Sequence, residues 1–273
     1  MLYPQRKHGL MQLTSPDWDD RVPETEASPP VQIWRLRLND LNGDPVETLR
    51  PLTVPAEHAR ARRYRFDADR HRHLAGRGLA RFALSRQYDC APQALSITEG
   101  AHGKPKLQEP PSALPTLHFN IAHTEDVVVV AVSRAHPVGI DVESQHRDAD
   151  TDALARRVLT ETERRRWQER PAPDQPAAFF HLWTCKEAFL KATGCGLQRA
   201  PDTIECTFDG DTVTTLTDAG GPPSSSDISA AQWTVHPFLA SAGVVGAVVY
   251  KHEGPASLTW TDAASLLNRR AAS

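Results

Sequence analysis

The sequence predicts an α+β fold made of two halves with a similar order of elements. Helical spacing of apolar residues precedes strand-like segments in residues 31–136 and again in residues 137–251. Hydrophobic residues make up 40% of the 273 residues, which is enough for a buried core in one large domain or two modest ones. No residue-level repeat relates the halves, so the prediction rests on the order of the elements.

The first half is predicted to open with a strand and to end in a β-rich region. Residues 1–30 are polar and contain several prolines, which indicates a flexible arm. Alternating apolar and polar residues in 31–38 predict the opening strand. Two helices are predicted at residues 56–66 and 69–88, and three further strands at residues 96–98, 117–121 and 127–133.

The second half is predicted to open with a strand at residues 138–142. Four turn residues separate this strand from the apolar run 127–133, so the two strands are expected to form a hairpin. A polar helix is predicted at residues 156–169 and an apolar helix, ended by Gly194, at residues 177–193. Three strands are predicted at residues 203–208, 232–237 and 243–250, with a flexible loop at residues 218–229 and a C-terminal tail at residues 252–273.

Composition narrows the class of protein. A formal net charge of -3 argues against nucleic-acid binding as the main role. The sequence has no run of about 18 apolar residues and no signal-peptide pattern, so neither a membrane span nor export is expected. The four cysteines lack CxxC or metal-type spacing, which predicts free thiols and a cytoplasmic location.

Two carboxylates lie two residues apart at the strand predicted at 138–142. Asp141 and Glu143 project from one face of such a strand, while Ile140 and Val142 face the core. Neighbouring carboxylates raise each other's pKa unless a cation lies between them. The alternative interpretation is an exposed strand end whose acids face water, and this short pattern does not exclude it.

A second polar group lies on the apolar helix predicted at 177–193. Glu187 and Lys191 are four residues apart on one helical face, and Trp183 lies one turn before them. The alternative is a solvent-facing ion pair of a few tenths of a kcal/mol. Because the surrounding residues are mostly apolar, the helix is predicted to be buried, and a buried Lys and Glu indicate a polar site.

Basic residues elsewhere in the chain suit an anionic ligand. His123 follows a predicted strand, Lys104 stands on a turn before Pro105, and residues 57–86 are rich in Arg and His. Solvated or structural side chains are the alternatives. Taken with three carboxylates, which suit Mg²⁺, these cations indicate a phosphorylated small molecule. The sequence has no P-loop and no GxGxxG motif.

The ordered set of motifs resembles the Sfp-type 4′-phosphopantetheinyl transferases. The family's strand signature is matched by Val138-Gly139-Ile140-Asp141-Val142-Glu143, and its helix signature by the run from Trp183 to Lys191. Further matches, in the family order, are Arg72-His73-Leu74-Ala75-Gly76, Gly103-Lys104-Pro105 and Phe119-Asn120-Ile121-Ala122-His123.

The resemblance implies a fold, an activity and partners. The fold would be α+β, with two similar subdomains related by a pseudo-twofold axis and the active site at their interface. The activity would be transfer of 4′-phosphopantetheine from coenzyme A to a serine of an apo acyl, polyketide or peptidyl carrier protein, which releases adenosine 3′,5′-bisphosphate. Mg²⁺ would be the cofactor and the protein a monomer.

The resemblance also implies residue roles. Asp141, Glu143 and Glu187 would bind Mg²⁺, and Glu187 would deprotonate the serine. Lys191 would assist the leaving phosphate, and His123, also assigned to catalysis, would contact a phosphate. The other coenzyme A contacts implied are His123, Lys104, Pro105, Arg60, Arg63 and His73. Three residues depart from the family pattern, namely Ala122, Thr124 and Glu57. Glu57 stands where the family often has Lys.

Two other functions remain open at this stage. A coenzyme A- or carrier-binding protein without catalysis is one, and a metal-dependent phosphohydrolase is the other. For a carrier protein, which is typically acidic, the sequence offers an Arg-rich stretch between residues 148 and 176. Its arginines are Arg156, Arg157, Arg164, Arg165 and Arg166, and a solvated helix face is an equal alternative for them.

Overall fold

A computed structural model of the protein describes residues 13–20, 31–100, 103–110, 115–134, 136–218, 233–251 and 258–271, without the side chain of residue 197. The architecture is α+β, as the sequence predicts. Across these residues, no helix combines the length and the apolar character that crossing a bilayer requires.

Eleven strands are found in the described residues. They are β1 (Val31–Arg37), β2 (Ile97–Glu99), β3 (Pro105–Leu107), β4 (His118–Thr124), β5 (Val127–Ser133), β6 (Val138–Ser144), β7 (Ile204–Asp209), β8 (Thr212–Asp218), β9 (Trp233–Ser241), β10 (Val244–Tyr250) and β11 (Leu258–Asp262).

Seven α-helices accompany these strands in the same part of the chain. They are α1 (Pro45–Leu49), α2 (Pro55–Ala61), α3 (Asp67–Tyr88), α4 (Thr151–Val158), α5 (Glu161–Gln168), α6 (Gln175–Thr193) and α7 (Ala264–Ala271). Helix α6 ends at Gly194, which adopts a left-handed conformation with φ of +74°, as the predicted glycine stop requires.

Two sheets pack face to face between the long helices. The first has the strand order β11-β1-β5-β4 and the second β6-β10-β9-β8-β7. Strand β5 is buried on both faces: Val128, Val130 and Val132 join the core under α3, whereas Val127 and Val129 contact the second sheet. The layers are therefore helix α3, first sheet, second sheet and helix α6.

The predicted hairpin of residues 127–133 and 138–142 is wrong. Strand β5 pairs with β1 and β4, whereas β6 pairs with β10 in the other sheet. The connection at residues 134–137 carries the chain from one sheet to the other. Both strands are largely buried on both faces, and such strands pack in layers as readily as they pair side by side, so the pattern alone did not separate the two arrangements.

Both chain ends contribute to the first sheet. Residues 258–271, expected as a tail, form β11 and α7, and β11 pairs in parallel with β1, whose edge is thereby covered. Within the expected N-terminal arm, Trp18 packs against Trp260, and Asp19 bridges to Thr261. Residues 1–12 and 21–30 lie outside the described residues. The division of the two halves at residues 136 and 137 and their pseudo-twofold relation stay predictions.

Other differences from the predicted elements have local causes. The polar helix 156–169 is two helices, because Thr160 and Glu163 form a capping box that starts α5 anew. The helix expected at 56–66 ends at Ala61. Strand β8 was not predicted. Its last residue, Asp218, is the first residue of the loop expected at 218–229, and residues 219–229 lie outside the described part.

All four cysteines are free thiols, as the sequence predicts. Cys185 and Cys206 are buried in the core between α6 and the second sheet. Burial raises the pKa of both thiols, so neither is a reactive nucleophile.

A buried ion pair links α5 to α6. Lys186 Nζ lies 2.5 Å from Glu163 Oε2, and both side chains are fully buried. The same ammonium donates to the carbonyls of Val158 and Pro201, at 2.8 and 3.0 Å. The second carboxylate oxygen of Glu163 accepts a hydrogen bond from the Cys206 backbone at 2.9 Å. Burial of Lys186 therefore has a structural cause.

Replacing Lys186 with methionine should lower the free energy of unfolding by about 3–5 kcal/mol, because Glu163 would keep a buried, unpaired charge. Chemical denaturation measures this value. The double variant Lys186→Met/Glu163→Gln should recover part of the loss, since glutamine still accepts from the backbone. The control Arg165→Met, which breaks an exposed pair with Glu161, should cost less than about 1 kcal/mol. A Lys186→Met loss as small as this control would contradict the interpretation.

His181 on α6 is a buried histidine without a hydrogen-bond partner. Its ring is 1% exposed, and neither ring nitrogen has a partner in the described structure. Burial, and then the charge of Arg170, lowers the pKa of His181 to about 3. Unfolded histidine has a pKa near 6.5, so between these values the unfolded chain binds a proton that the folded chain does not.

Stability should therefore fall as the pH falls through this window. Between pH 7 and pH 5, His181 should account for a loss of about 2 kcal/mol in the free energy of unfolding. Denaturant titrations of wild type and His181→Phe at both pH values isolate this contribution, because the other titrating groups are common to the two proteins. Equal losses in the two proteins would show that His181 is not the cause.

Candidate active site

The edges of the two sheets meet along β4 and β6. Asn120 of β4 accepts a hydrogen bond at its Oδ1 from the backbone N–H of Ile140 in β6, at 2.9 Å. This bond satisfies a buried backbone donor of an edge strand. Helix α6 packs across β6, so side chains of β4, β6 and α6 come together at this seam.

The register of β6 directs its acids toward α6. Ile140 and Val142 are buried between the sheets, so Gly139, Asp141 and Glu143 lie on the opposite face, as predicted. Gly139 allows the closest approach of the helix: a Cβ built on it would lie 1.9 Å from the carbonyl oxygen of Ala188. The missing side chain thus lets α6 lie directly on β6.

This packing brings Asp141 to Lys191. Lys191 Nζ lies 2.6 Å from Asp141 Oδ1. The Asp141 side chain is buried, and its Oδ2 has no hydrogen-bond partner in the described structure. Burial raises the pKa of Asp141, and the Lys191 ammonium acts in the opposite direction. The sequence placed these two residues in separate motifs, and the fold joins them.

Glu143 and Glu187 complete the acidic group. Burial raises the pKa of Glu143, and the charge of Asp141 raises it further, while Arg147, at 3.0 Å, opposes this shift. Burial and then Asp141 raise the pKa of Glu187 to about 6. Each of these glutamates therefore feels the field of Asp141.

The carboxylates fit a hard cation by their chemistry, although they are not gathered around one point. Within the described part of the chain, no three His, Cys, Asp or Glu side chains are placed to hold a metal, and Lys191 takes Asp141 Oδ1 instead. An all-carboxylate donor set, a free buried oxygen on Asp141 and raised carboxyl pKa values are what a Mg²⁺ ligand set has before the ion binds. The residues present are therefore compatible with Mg²⁺.

A cationic pocket of about 270 Å³ lies beside the acids. Helices α2 and α3, strand β4, the loop before β3 and helix α6 line it. Its lining residues are Arg60, Tyr64, Arg72, His73, Gly76, Arg77, Glu99, Gly103, Pro105, Ile121, Ala122, His123 and Lys191. Six of these are Arg, His or Lys and one is acidic, so the pocket suits an anion.

The two histidines of the pocket are neutral hydrogen-bonding groups. Burial, followed by the charges of Arg77 and Arg60, lowers the pKa of His73 to about 4. Burial, Lys191 and Arg72 also lower the pKa of His123. The positive charge of the pocket therefore comes from its arginines and Lys191.

The structure places most of the predicted coenzyme A contacts in this pocket. Arg60, His73, Pro105, His123 and Lys191 all line it. Their binding roles stay predictions.

Lys104 and Arg63 lie elsewhere. Lys104 Nζ donates to the carbonyl oxygen of Lys191, near the end of α6, and lines a neighbouring pocket. Burial and then Lys191 lower the pKa of Lys104 to about 8. Lys104 thus ties the β2–β3 hairpin to the helix that carries Lys191. Arg63 is exposed in the turn after α2 and is not among the lining residues.

Sequence reasoning missed several lining residues, among them Tyr64, Arg77 and Glu99. For Arg77 the signal was the helical period, since it follows His73 by one turn of α3. The departure at Glu57 is explained by the fold: its carboxylate is buried and pairs with Arg81 at 3.0 Å, away from the pocket. The acid at this position is therefore not among the lining residues of the pocket, and its charge is paired with Arg81.

The family models and the curated relatives that match this chain carry the same description, 4′-phosphopantetheinyl transferase. The model described as 4′-phosphopantetheinyl transferase superfamily matches residues 137–248, and the model described as 4′-phosphopantetheinyl transferase, N-terminal, matches residues 47–135. The 4′-phosphopantetheinyl transferase psf-1 of Bacillus pumilus is 35% identical over 171 residues, which are 61% of this chain and 70% of that protein.

Two further similarities are found. The 4′-phosphopantetheinyl transferase HetI of a Nostoc species is 33% identical over 183 residues, 67% of this chain and 76% of that protein. The crystal structure of holo-[acyl-carrier-protein] synthase from Thermotoga maritima matches with a TM-score of 0.32 and 24% identity, covering 43% of this chain and 64% of that one.

Proposed function

The chain belongs to the 4′-phosphopantetheinyl transferase superfamily, and we propose that it transfers 4′-phosphopantetheine from coenzyme A to a serine of an apo carrier protein. The other product is adenosine 3′,5′-bisphosphate. The observation that carries this proposal is the meeting of Asp141 and Lys191, beside Glu143 and Glu187, at the edge of a cationic pocket. A phosphate-rich substrate and a proton-transfer group are thereby accommodated in one place.

In the proposed reaction, the serine oxygen attacks the phosphorus next to the pantetheine arm. The bond from this phosphorus to the bridging oxygen breaks, and the leaving adenosine phosphate keeps the electron pair. Glu187 takes the serine proton, a role for which a carboxylate with a raised pKa is suited. Lys191, oriented by Asp141, stabilises the charge that develops on the leaving phosphate.

The remaining residues bind and orient coenzyme A. Asp141, Glu143 and Glu187 would hold Mg²⁺, which when bound neutralises pyrophosphate charge. His123 offers a neutral ring nitrogen to a phosphate oxygen, and Arg60 and His73 bind the 3′-phosphoadenosine end. Lys104 positions Lys191 through its backbone carbonyl. Catalysis of this kind depends mainly on positioning and charge neutralisation.

The decisive experiment is a carrier-modification assay. The protein, coenzyme A and Mg²⁺ are incubated with apo carriers from fatty-acid, polyketide and peptide synthesis, and intact-mass spectrometry follows each carrier. At least one carrier should gain the phosphopantetheine mass. Binding of coenzyme A with no mass gain on any carrier would favour a non-catalytic binding protein, and cleavage of coenzyme A without carrier would favour a phosphohydrolase.

For the carrier protein we propose a docking surface at α4. Arg156 and Arg157 are exposed and have no acidic partner in the described structure. By contrast, Glu161 pairs with Arg165 at 3.1 Å and also with Arg164, and Arg166 stacks over Phe208 at 4.1 Å. The unpaired arginines are therefore the better complement for an acidic helix.

Charge reversal tests this surface. Arg156→Glu/Arg157→Glu should weaken carrier binding about tenfold and reduce its salt dependence, because two steering charges change sign. The control Arg165→Glu should have a smaller effect, since that guanidinium is already paired. Affinity and coenzyme A KM are measured separately. A carrier affinity unchanged by the double reversal would exclude α4 as the docking surface.

We also propose that the protein acts as a cytoplasmic monomer. Four free cysteines, two of them buried, agree with a reducing compartment. One chain supplies β4, β6 and α6, so a second copy is not required to complete the candidate site.

A further inference from the structure

Arg77 is a buried cation on the wall of the candidate pocket. It lies one turn after His73 on α3, is 8% exposed and lines the pocket. Its Nη2 is 3.1 Å from Glu99 Oε1, whereas its Nη1 has no hydrogen-bond partner in the described structure. A buried N–H of a charged group that lacks an acceptor is unfavourable, so this donor favours an anion from outside the chain.

The single carboxylate of Glu99 does not neutralise the two arginines that pair with it. It is shared between Arg77 and Arg60, whose Nη1 lies 2.8 Å from the carboxylate. Arg72 also lines the pocket, but it is paired with Asp69, and Glu57, whose charge also acts on Arg77, is paired with Arg81. Because Arg77 and Arg60 share the single carboxylate of Glu99, these two guanidiniums keep an excess of positive charge, which a phosphate monoester would balance.

The neighbouring arginine on the same helix has no such spare donor. Arg81 lies one turn beyond Arg77, and its Nε donates to both carboxylate oxygens of Glu57 at 3.0 and 3.1 Å. Its Nη1 donates to two backbone carbonyls, of Pro92 and Leu95. Arg81 is therefore structural, whereas Arg77 lines the pocket and keeps one unsatisfied donor.

We propose that Arg77 is a substrate-binding residue that recognises the 3′-phosphate of coenzyme A and sets the preference for coenzyme A over its 3′-dephospho form. Glu99 orients the guanidinium through Nη2 and leaves Nη1 for the phosphate. The assignment to the 3′-phosphate follows from its neighbours, because Arg77 shares Glu99 with Arg60 and lies one helical turn after His73, the two residues given the 3′-phosphoadenosine end in the proposed function. This inference rests on the proposed function for the identity of the ligand.

The test compares the KM values for coenzyme A and 3′-dephospho-coenzyme A in wild type, Arg77→Met, Arg77→Lys and Glu99→Gln. In Arg77→Met the preference for coenzyme A should fall about 10- to 100-fold, the worth of a hydrogen bond to a charged group. Arg77→Lys should restore part of the preference. Glu99→Gln should keep most of the preference, because Arg77, the residue that would bind the phosphate, is still present.

A purely structural ion pair predicts a different pattern. Arg77→Met and Glu99→Gln would then be equally impaired, and each would slow both substrates by the same factor. That result would overturn the proposal. If thermal unfolding shows that Arg77→Met does not fold, the contrast between Arg77→Lys and Glu99→Gln decides, and a preference equal in these two variants would overturn the proposal.

Calorimetry separates this inference from the proposed function. Adenosine 3′,5′-bisphosphate should bind wild type more tightly than adenosine 5′-monophosphate, and Arg77→Met should remove most of that difference. If this pattern holds while wild type modifies no carrier, the proposed activity fails and the phosphate assignment stands. If carriers are modified and the Arg77 variants bind both nucleotides as wild type does, the phosphate assignment fails alone.

Discussion

Replacing Asp141 with asparagine should lower the transfer rate by at least about 1,000-fold, because its carboxylate both holds Lys191 and contributes charge to the proposed cation site. Asparagine has nearly the same shape, so the packing of β6 on α6 should persist. The free energy of unfolding should change by less than about 1 kcal/mol, since loss of the ion pair is offset by removal of a buried charge whose Oδ2 has no partner.

The two readouts together distinguish a site residue from a structural one. Carrier modification is followed at saturating coenzyme A, and unfolding is followed in denaturant. Asp209→Asn on β7 is the matched control, because that carboxylate is exposed and lies on the far strand of the same sheet. It should have wild-type activity and stability. An Asp141→Asn enzyme within tenfold of wild type would refute the role given to this carboxylate.

Replacing Gly139 with alanine should impair both folding and activity. The new Cβ would meet the Ala188 carbonyl oxygen at 1.9 Å and the Ala192 nitrogen at 2.4 Å. Both contacts are backbone atoms, so no side-chain rotation relieves them and the helix must move away from β6. Overpacking of this kind should cost about 3 kcal/mol.

The displacement should also reduce kcat, because it separates Asp141 on β6 from Lys191 on α6. A shift of about 1 Å at such a site costs roughly 100-fold in rate. Gly210→Ala is the control: it lies in the β7–β8 turn with φ of +59° and open space around it, so it should cost about 1 kcal/mol and leave transfer unchanged. If Gly139→Ala behaved like this control, close packing of α6 on β6 would not be the reason for the glycine.

The candidate site could largely be anticipated where the chemistry follows from local periodicity. Alternation along β6 correctly predicted that Asp141 and Glu143 share a face, and helical spacing predicted the same for Glu187 and Lys191. Each inference needs only the geometry of one element. That these two faces meet was expected from the resemblance, and the 2.6 Å contact of Lys191 with Asp141 shows it in the fold.

Long-range pairing was not accessible in the same way. The two apolar strands β5 and β6 are adjacent in the chain but belong to different sheets. Residues expected as a tail form β11, which pairs with the edge of β1. The backbone N–H and C=O groups of an edge strand can pair with a short strand from any part of the chain, so the sequence of β1 does not identify its partner. A two-residue period states which face of a strand is buried, and it does not state which strand lies beside it.

The sequence by itself determined most of the helices and strands, the face that the acids of β6 and α6 occupy and the motifs that relate the chain to its family. Only the tertiary structure decided which charged side chains form ion pairs with one another. Glu57 pairs with Arg81 and Lys186 pairs with Glu163, whereas Arg77, which lines the pocket, keeps one donor without a partner in the described structure. The physical reason is that a charge becomes structural or functional according to its partners in space, and those partners here lie 22 or more residues away along the chain.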